Sequence, residues 1–288
     1  MKIAISGASG FVGTCLKQAL QDDGHQIVPL RRKDFSGSNF MQNALSGAHA
    51  VIHLAGAPIV ARWTESYKRE IVASRIDTTR LLVDALRVMP SPPGLFISTS
   101  GVGIYQPNVP CDESATVFAE DFLGTLARDW EREALAAREF SIRTIIFRLG
   151  AVLGRGGGVL QKMLLPFRLG LGGIIGDGMQ AFSWIHIHDL ISAYRFVIAH
   201  EQLSGIFNLS APHPATNAGF TQALGSVLHR PTVLPVPAFL LRLRFGEGAD
   251  IVLKGQHALP RRLLECGFGF AFPTIHDALQ DLCSNPAA

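Results

Sequence analysis

Seven residues near the start of this 288-residue chain, Gly7-Ala8-Ser9-Gly10-Phe11-Val12-Gly13, have types and spacing suited to holding phosphate. The glycines recur every third position, GxxGxxG, after a short apolar run and at the opening of a helical pattern. A helix N-terminus offers unpaired N–H groups and the positive end of a dipole, which together suit a diphosphate. Gly7 permits a tight turn, Gly10 lets backbone reach the phosphates, and Gly13 lets helix and strand pack closely. Ser9, Phe11 and Val12 complete the expected cradle. The spacing differs from the GxGxxG of many dehydrogenases, so the strand-before, helix-after context is what gives it meaning.

The second strand candidate ends Pro29-Leu30-Arg31-Arg32-Lys33. An acid about 20 residues past the glycines would hold the ribose 2′-hydroxyl of NAD. Arginine stands there instead, and Arg31 and Arg32 can fork onto a 2′-phosphate through charge-assisted bonds. The expected cofactor is therefore NADP(H). His186 and His188 form an HxH pair, but a metal needs a third ligand and the sequence offers none nearby, so no metal site is expected.

The elements that must place these residues alternate. Lys2–Ser6, Gln26–Leu30, Ala50–Leu54, Leu95–Thr99 and Ile142–Leu149 read as strands. Between them lie helical patterns at Phe11–Asp22, Glu65–Arg87 and Asp121–Arg138, the last with Phe122, Leu126, Trp130 and Ala134 at fourfold spacing. Such alternation implies a doubly wound α/β fold with a parallel sheet, and the unbroken apolar strands imply cover on both faces. Beyond it the chain is richer in glycine, at Gly154–Gly158 and Gly170–Gly178. Helix candidates follow at Val159–Leu169, His188–Ala199 and Asn217–Leu228, with Asn217 as N-cap, and from Ala238. The expected organisation is a Rossmann-like domain over residues 1–154 and a smaller C-terminal lobe over 155–288, interleaved with late sheet elements. Residues 188–210 or so should return to the sheet.

Composition excludes several classes. With 48% hydrophobic and 17% charged residues the chain is globular. A net charge of +3 without a long basic run argues against a nucleic-acid partner. The four cysteines form neither CxxC nor Cys/His ligand spacings, so free thiols are expected. No apolar run reaches the ~18 residues of a membrane span, and MKIAISGASGFVG does not read as a signal peptide. A cytoplasmic protein with no membrane partner is expected.

Together with the GASGFVG loop, His53-Leu54-Ala55-Gly56-Ala57 resembles the extended short-chain dehydrogenase/reductase superfamily. Further segments resemble its sugar-nucleotide-epimerase-like branch of atypical members: Arg62-Trp63-Thr64, Ser74-Arg75-Ile76, Arg148–Gly154, Leu165–Gly173, Ser183–Ile187, Thr216-Asn217-Ala218 and Leu259–Arg262. The resemblance spans nearly the whole chain and implies a Rossmann-like domain with a small C-terminal substrate lobe. It implies that Leu54, Ala55 and Gly56 line the adenosine and ribose side of the cofactor. It also implies that Glu70 and Arg75 face the dinucleotide from the next helix, and that the loop with Ala151 and Val152 supports the nicotinamide. It makes His186 structural, between lobes, and brings with it the possibility of a homodimer through paired helices.

Typical members use a hydroxyl residue and a YxxxK pair, in which Tyr exchanges a proton with substrate and Lys holds the ribose and lowers the Tyr pKa. Here none of Tyr67, Tyr105 and Tyr194 precedes a lysine by four residues. The matching helix puts Leu123 and Ala127 at the Tyr and Lys positions. Ser100 best fits the hydroxyl position, and Tyr105, on the same loop, is the substitute proton donor. The leading expectation is an NADP(H)-dependent oxidoreductase acting on a small or nucleotide-linked carbonyl or alcohol. Loss of Tyr and Lys equally suits a non-catalytic NADP(H)-binding sensor or interaction protein. A sugar-nucleotide epimerase is served least, because reversible oxidation needs a proper base.

Overall fold

In Lys2–Ser6 (β1) every residue after Lys2 is buried, and Ala50–His53 (β3) is buried throughout. A strand buried on both sides needs helices on both faces of its sheet, and parallel connections supply them. In the computed structural model, which describes residues 1–284, these two strands join Gln26–Leu30 (β2), Leu95–Gly101 (β4), Arg143–Leu149 (β5) and Gly205–Leu209 (β6). All neighbours pair in parallel, in the order β6-β5-β4-β3-β1-β2. The sheet reverses direction between β1 and β3, and ligands of open α/β sheets bind at such a switch point, beyond the carboxyl ends of the strands. The 3-2-1-4-5-6 order would add an outer strand beyond β2. Here the chain after Leu30 instead makes a short 3-10 turn, Arg32–Ser36, and a helix, Ser38–Leu45.

Successive side chains on each strand serve opposite layers. Ile3, Ile5, Ile52, Ile97, Ile145 and Phe147 pack against Leu16 and Leu20 of α1 (Phe11–Asp22) and against Leu190, Ala193 and Val197 of Ile187–Ala199. Leu16 and Leu20, four apart and fully buried, are each worth roughly 2 kcal/mol of apolar transfer. Ala4, Val51, Phe96 and Ile146 face the other way, onto Met41 and Leu45, Leu82 and Leu86 of Thr78–Arg87, and Ala134 of Phe122–Leu135.

A second core gathers Leu153, Leu160, Phe167, Trp184, Phe220, Leu224 and Leu279. It is built from the parallel strands Ala151–Gly154 and Trp184–His186 and the helices Gly158–Arg168, Asn217–Leu228 and Ile275–Cys283. Ala151–Gly154 bridges the two cores, pairing with Trp184–His186 while Val152 packs against the first. The return to the sheet expected near 188–210 is present, and Leu263 and Phe268 also come back to the first core. Residues 285–288 of the expected lobe lie outside the described residues.

Two local expectations are corrected. Glu65–Arg87 is not one regular helix: Glu65–Val72 (α-helical) and Thr78–Arg87 are joined by a π-helical turn, Ala73–Asp77. Asn217 is not the N-cap of its helix. Thr216 is, its hydroxyl accepting from the Gly219 N–H at 3.0 Å, because β-region backbone at 216 aims that oxygen at the first turn. All four cysteines are free thiols. Among the described residues no helix is long and apolar enough to cross a membrane.

Candidate cofactor-binding site

The β1–α1 turn is set by sterics. Gly7 has φ +70°, and a Cβ there would lie 2.9 Å from backbone atoms of Leu54 and Ala55. A Cβ on Gly13 would strike the Gly7 carbonyl and come within 2.8 Å of the Ala8 Cα. The two glycines therefore let the loop close on α1 and the Leu54–Ala57 segment close on the loop. Gly10 is the N-cap of α1, with its N–H on the Gly7 carbonyl at 3.0 Å. No side chain caps this helix and no acid stands in its first turn. Ser9 and Gly10 are exposed while Gly13 is buried. The first-turn amides at Phe11, Val12 and Gly13 are thus left for an anion from outside. The Phe11 ring lies against Gly154 and Gly157 of the second lobe, where any Cβ would collide with it.

Beneath the loop, Ser6 and His53 form a buried pair at 2.6 Å. The Ser6 oxygen accepts from the Leu54 and Ala55 N–H groups at 3.2 and 3.3 Å, so its own proton goes to His53 Nδ1. Burial lowers the His53 pKa to about 4, helped by the positive charge of Arg75. The ring is therefore neutral and holds the start of the Leu54–Ala57 segment in place. Sequence reasoning missed this pair, although Ser6 and His53 close adjacent strands in register.

At the end of β2, Arg31 and Arg32 are exposed. The nearby acid, Asp34, accepts from the Arg31 backbone N–H at 2.6 Å, which occupies the carboxylate in shaping the turn. Among the described residues neither guanidinium forms an ion pair with a carboxylate, and both side chains are exposed at the edge of the sheet. Residues and backbone here fit a dinucleotide with a 2′-phosphate: an uncapped helix start, close-packed glycines and two cations where an acid would select against it.

Of the two residues expected from the following helix, Glu70 is exposed on Glu65–Val72, with no side-chain bond to the glycine loop among the described residues. Arg75, on the π-turn, is buried and donates to the Ala57 carbonyl at 2.9 Å. A Cβ on Gly56 would sit 2.9 Å from its Cζ.

The expected catalytic groups fare differently. Tyr105 is fully buried, which corrects its assignment as a proton donor on an open loop. Its hydroxyl donates to Asn208 Oδ1 at 2.8 Å and accepts from Arg148 Nη1 at 2.8 Å. Burial pushes the phenol up to about 12, against the opposing pull of Arg148. Arg148 is in turn held by Glu131 through paired bonds of 2.8 and 2.7 Å. Burial opposes the charge on Arg148, but Glu131 and Tyr105 outweigh it and raise its pKa. This network ties β5, β6 and Phe122–Leu135 together, and the loop reading missed it because Tyr105 packs inward after a 3-10 turn at Val102–Ile104.

Ser100 is buried near the end of β4 with its hydroxyl unpartnered. Thr99 beside it bonds the buried Tyr194 hydroxyl at 3.0 Å. Leu123 packs beside Gly103, and Ala127 is buried in the same helix, so the two replaced positions present apolar atoms. Val152 is half-buried on Ala151–Gly154, and Leu54 and Ala55 are half-buried beside the glycine loop. His186 stacks on Phe272 at 3.9 Å and its Nδ1 accepts from the His188 N–H, capping Ile187–Ala199.

Comparison with known proteins places this geometry. The NAD dependent epimerase/dehydratase family model matches residues 3–210, and a domain of unknown function (DUF1731) matches residues 236–282. The mouse epimerase family protein SDR39U1 is 40% identical, over 98% of this chain and 99% of its own. A crystal structure of the human protein of that name, with NADPH, superposes with a TM-score of 0.92 at 38% identity, covering 99% of this chain and 100% of the human one. A nucleoside-diphosphate sugar epimerase from Corynebacterium glutamicum gives 0.80 at 29% identity over 98% of this chain, which spans 58% of that protein. With its glycine loop, parallel sheet and both lobes matched along almost its full length, the chain belongs to the NAD-dependent epimerase/dehydratase family.

Proposed function

We propose that this protein binds NADP(H) across the carboxyl ends of β1, β2 and β3 and exchanges hydride with a carbonyl or alcohol compound, without the proton relay of ordinary epimerases. The uncapped, acid-free start of α1 beside the exposed Arg31–Arg32 pair carries the reading. NADP(H), when bound, supplies the hydride donor or acceptor. Amides of Phe11, Val12 and Gly13 hold its diphosphate, with Ser9 and Gly10 leaving room for it, and Arg31 and Arg32 take the 2′-phosphate. Ser6 and His53 fix Leu54, Ala55 and Gly56 along the ribose, and Val152 backs the nicotinamide. The human relative crystallised with NADPH supports the choice of cofactor.

Leu123 and Ala127 offer neither acid nor base, and Tyr105 is committed to Arg148 and Asn208. A substrate reduced here draws its proton from water. The burial of both Ser100 and Tyr105 specifically favours a second reading, an NADP(H)-binding sensor or interaction protein without turnover. Mass spectrometry of the nucleotide carried by the purified protein, followed by NADPH fluorescence across a carbonyl panel, separates these readings. Oxidation that survives Tyr105→Phe supports hydride exchange. Tight binding without oxidation supports the sensor. Product formed with no net change in cofactor rejects both in favour of an epimerase.

A further inference from the structure

Three arginines meet at the amino end of the sheet, away from the strand ends that carry the glycine loop. Arg143 opens β5 and Gly205 opens β6. Arg138 lies on the 3-10 turn Ala136–Phe140 that precedes β5, and Arg262 on the helix Arg261–Glu265. The three arginines line one cleft of about 690 Å³, in which the exposed Glu201 is the single carboxylate. That volume falls in the range of about 300–1,000 Å³ usual for small-molecule sites. Among the described residues none of the three guanidinium groups forms an ion pair with a carboxylate. Arg261, next in the chain to Arg262, pairs with both Asp112 and Glu265.

Two of the three are held in place by backbone. Arg143 Nη1 donates to the carbonyls of Val197, His200 and Leu203 at 3.0, 3.2 and 3.0 Å, where Ile187–Ala199 ends. Arg262 donates to the carbonyls of Ile206 and Ser204 at 2.6 and 2.9 Å, and its Cζ lies 4.2 Å from the centre of the Phe207 ring. These bonds use part of each guanidinium's five N–H donors and fix the direction of the rest. Arg138 is exposed. Gly205 lies where two of the groups converge. Its φ is +95°, and a Cβ there would stand 2.9 Å from Arg262 Nη1 and 3.4 Å from Arg138 Nη2. Two like charges thus approach one point over bare backbone, and an anion seated there gains from both and relieves their repulsion. Burial opposes the charge on Arg143 and lowers its pKa, with the field of Glu201 acting the other way.

We propose that this cleft binds a small multivalent oxyanion, a phosphate ester or a polycarboxylate, gripped by Arg138 and Arg262 across Gly205 with Arg143 adding charge. Guanidinium forks match the paired oxygens of both groups. Ser141 and Ser204, also in the lining, carry hydroxyls able to donate to the same ligand. The site lies at the opposite end of the strands from the dinucleotide groove, so it takes a ligand of its own and does not rest on the NADP(H) reading.

The test is calorimetric titration of the whole protein with pyrophosphate and with citrate, nucleotide-free and again with saturating NADPH, at ionic strength matched with chloride. At least one of the two anions is expected to bind at about 1 mM or tighter and to raise the thermal unfolding midpoint, with NADPH present as without it. Arg138→Gln should weaken that anion by about tenfold or more, through loss of a charge-assisted bond. Because Arg138 is exposed, its unfolding midpoint without ligand should stay within about a degree or two of the parent. Arg138→Lys, which keeps the charge and loses the fork, should fall between the two. Tighter pyrophosphate would identify the ligand as a phosphate ester, tighter citrate as a polycarboxylate. Failure of both anions to bind, or equal affinity in the parent and Arg138→Gln, would overturn the proposal. So would displacement of the anion by NADPH, which would place it on the glycine loop instead.

Discussion

Replacing Tyr105 with Phe removes one oxygen and nothing else, so its effect can be worked from the bonds that oxygen makes. The phenol accepts from Arg148 and donates to Asn208, both at 2.8 Å, in a fully buried setting. Its loss strands one N–H of a charged guanidinium and one amide oxygen. Leaving a buried polar group unpaired costs about 1–3 kcal/mol, more for charged ones, so the pair comes to roughly 3 kcal/mol. Arg148 keeps both bonds to Glu131 and stays charged, which caps the damage. With a urea m-value of about 3 kcal/mol/M, the midpoint of unfolding moves down by about 1 M. Affinity for NADPH and any NADPH oxidation should stay within twofold or so of the parent, since the phenol reaches no open surface. Urea unfolding followed by fluorescence, beside NADPH titration of the same preparation, checks both parts. Unchanged stability together with lost turnover would refute the reasoning and return Tyr105 to the role of proton donor.

Other outcomes follow from the same geometry. His53 resists protonation in the folded chain, its pKa lowered from 6.5 to about 4, so stability present above 6.5 is lost as pH falls toward 4. The full loss is about 3 kcal/mol, measured as the pH dependence of the unfolding midpoint, and a His53→Gln chain should lack that component. Gly13→Ala forces a methyl against the Gly7 carbonyl and should cost about 2 kcal/mol in stability while weakening NADPH, read by calorimetry. Serine at both Arg31 and Arg32 should lower the preference for NADPH over NADH by about tenfold or more, as charge-assisted phosphate bonds disappear. That change should leave NADH affinity nearly untouched.

The sheet was legible because its strands are buried on both faces, so Ile3–Ser6 and Ala50–His53 read as apolar runs with no competing helical period. The glycine loop was legible because Gly7 and Gly13 have steric jobs that no other residue can do, and GxxGxxG records them. The glycines at 154 and 157 also have a steric cause, the Phe11 ring, which glycine density alone does not disclose. The break in Glu65–Arg87 was hidden, since a π-turn keeps helical composition and shifts only the phase, and with it the direction of Arg75. Tyr105 was misread because pairings across about a hundred residues, to Asn208, leave no mark on local spacing. The Ser6–His53 pair could have been suspected from register alone: both residues close buried strands that lie side by side. Fold was thus written in burial patterns and backbone sterics, whereas the surroundings of Tyr105 depend on tertiary hydrogen bonds.

The most direct measurement of the account is a calorimetric titration of the purified, nucleotide-free protein with NADPH and, separately, with NADH. Arg31 and Arg32 beside the uncapped start of α1 predict one site per chain, with NADPH bound at least about tenfold more tightly. Equal affinity for the two dinucleotides would contradict the assignment of the 2′-phosphate, and the absence of binding heat for either would contradict the dinucleotide site itself.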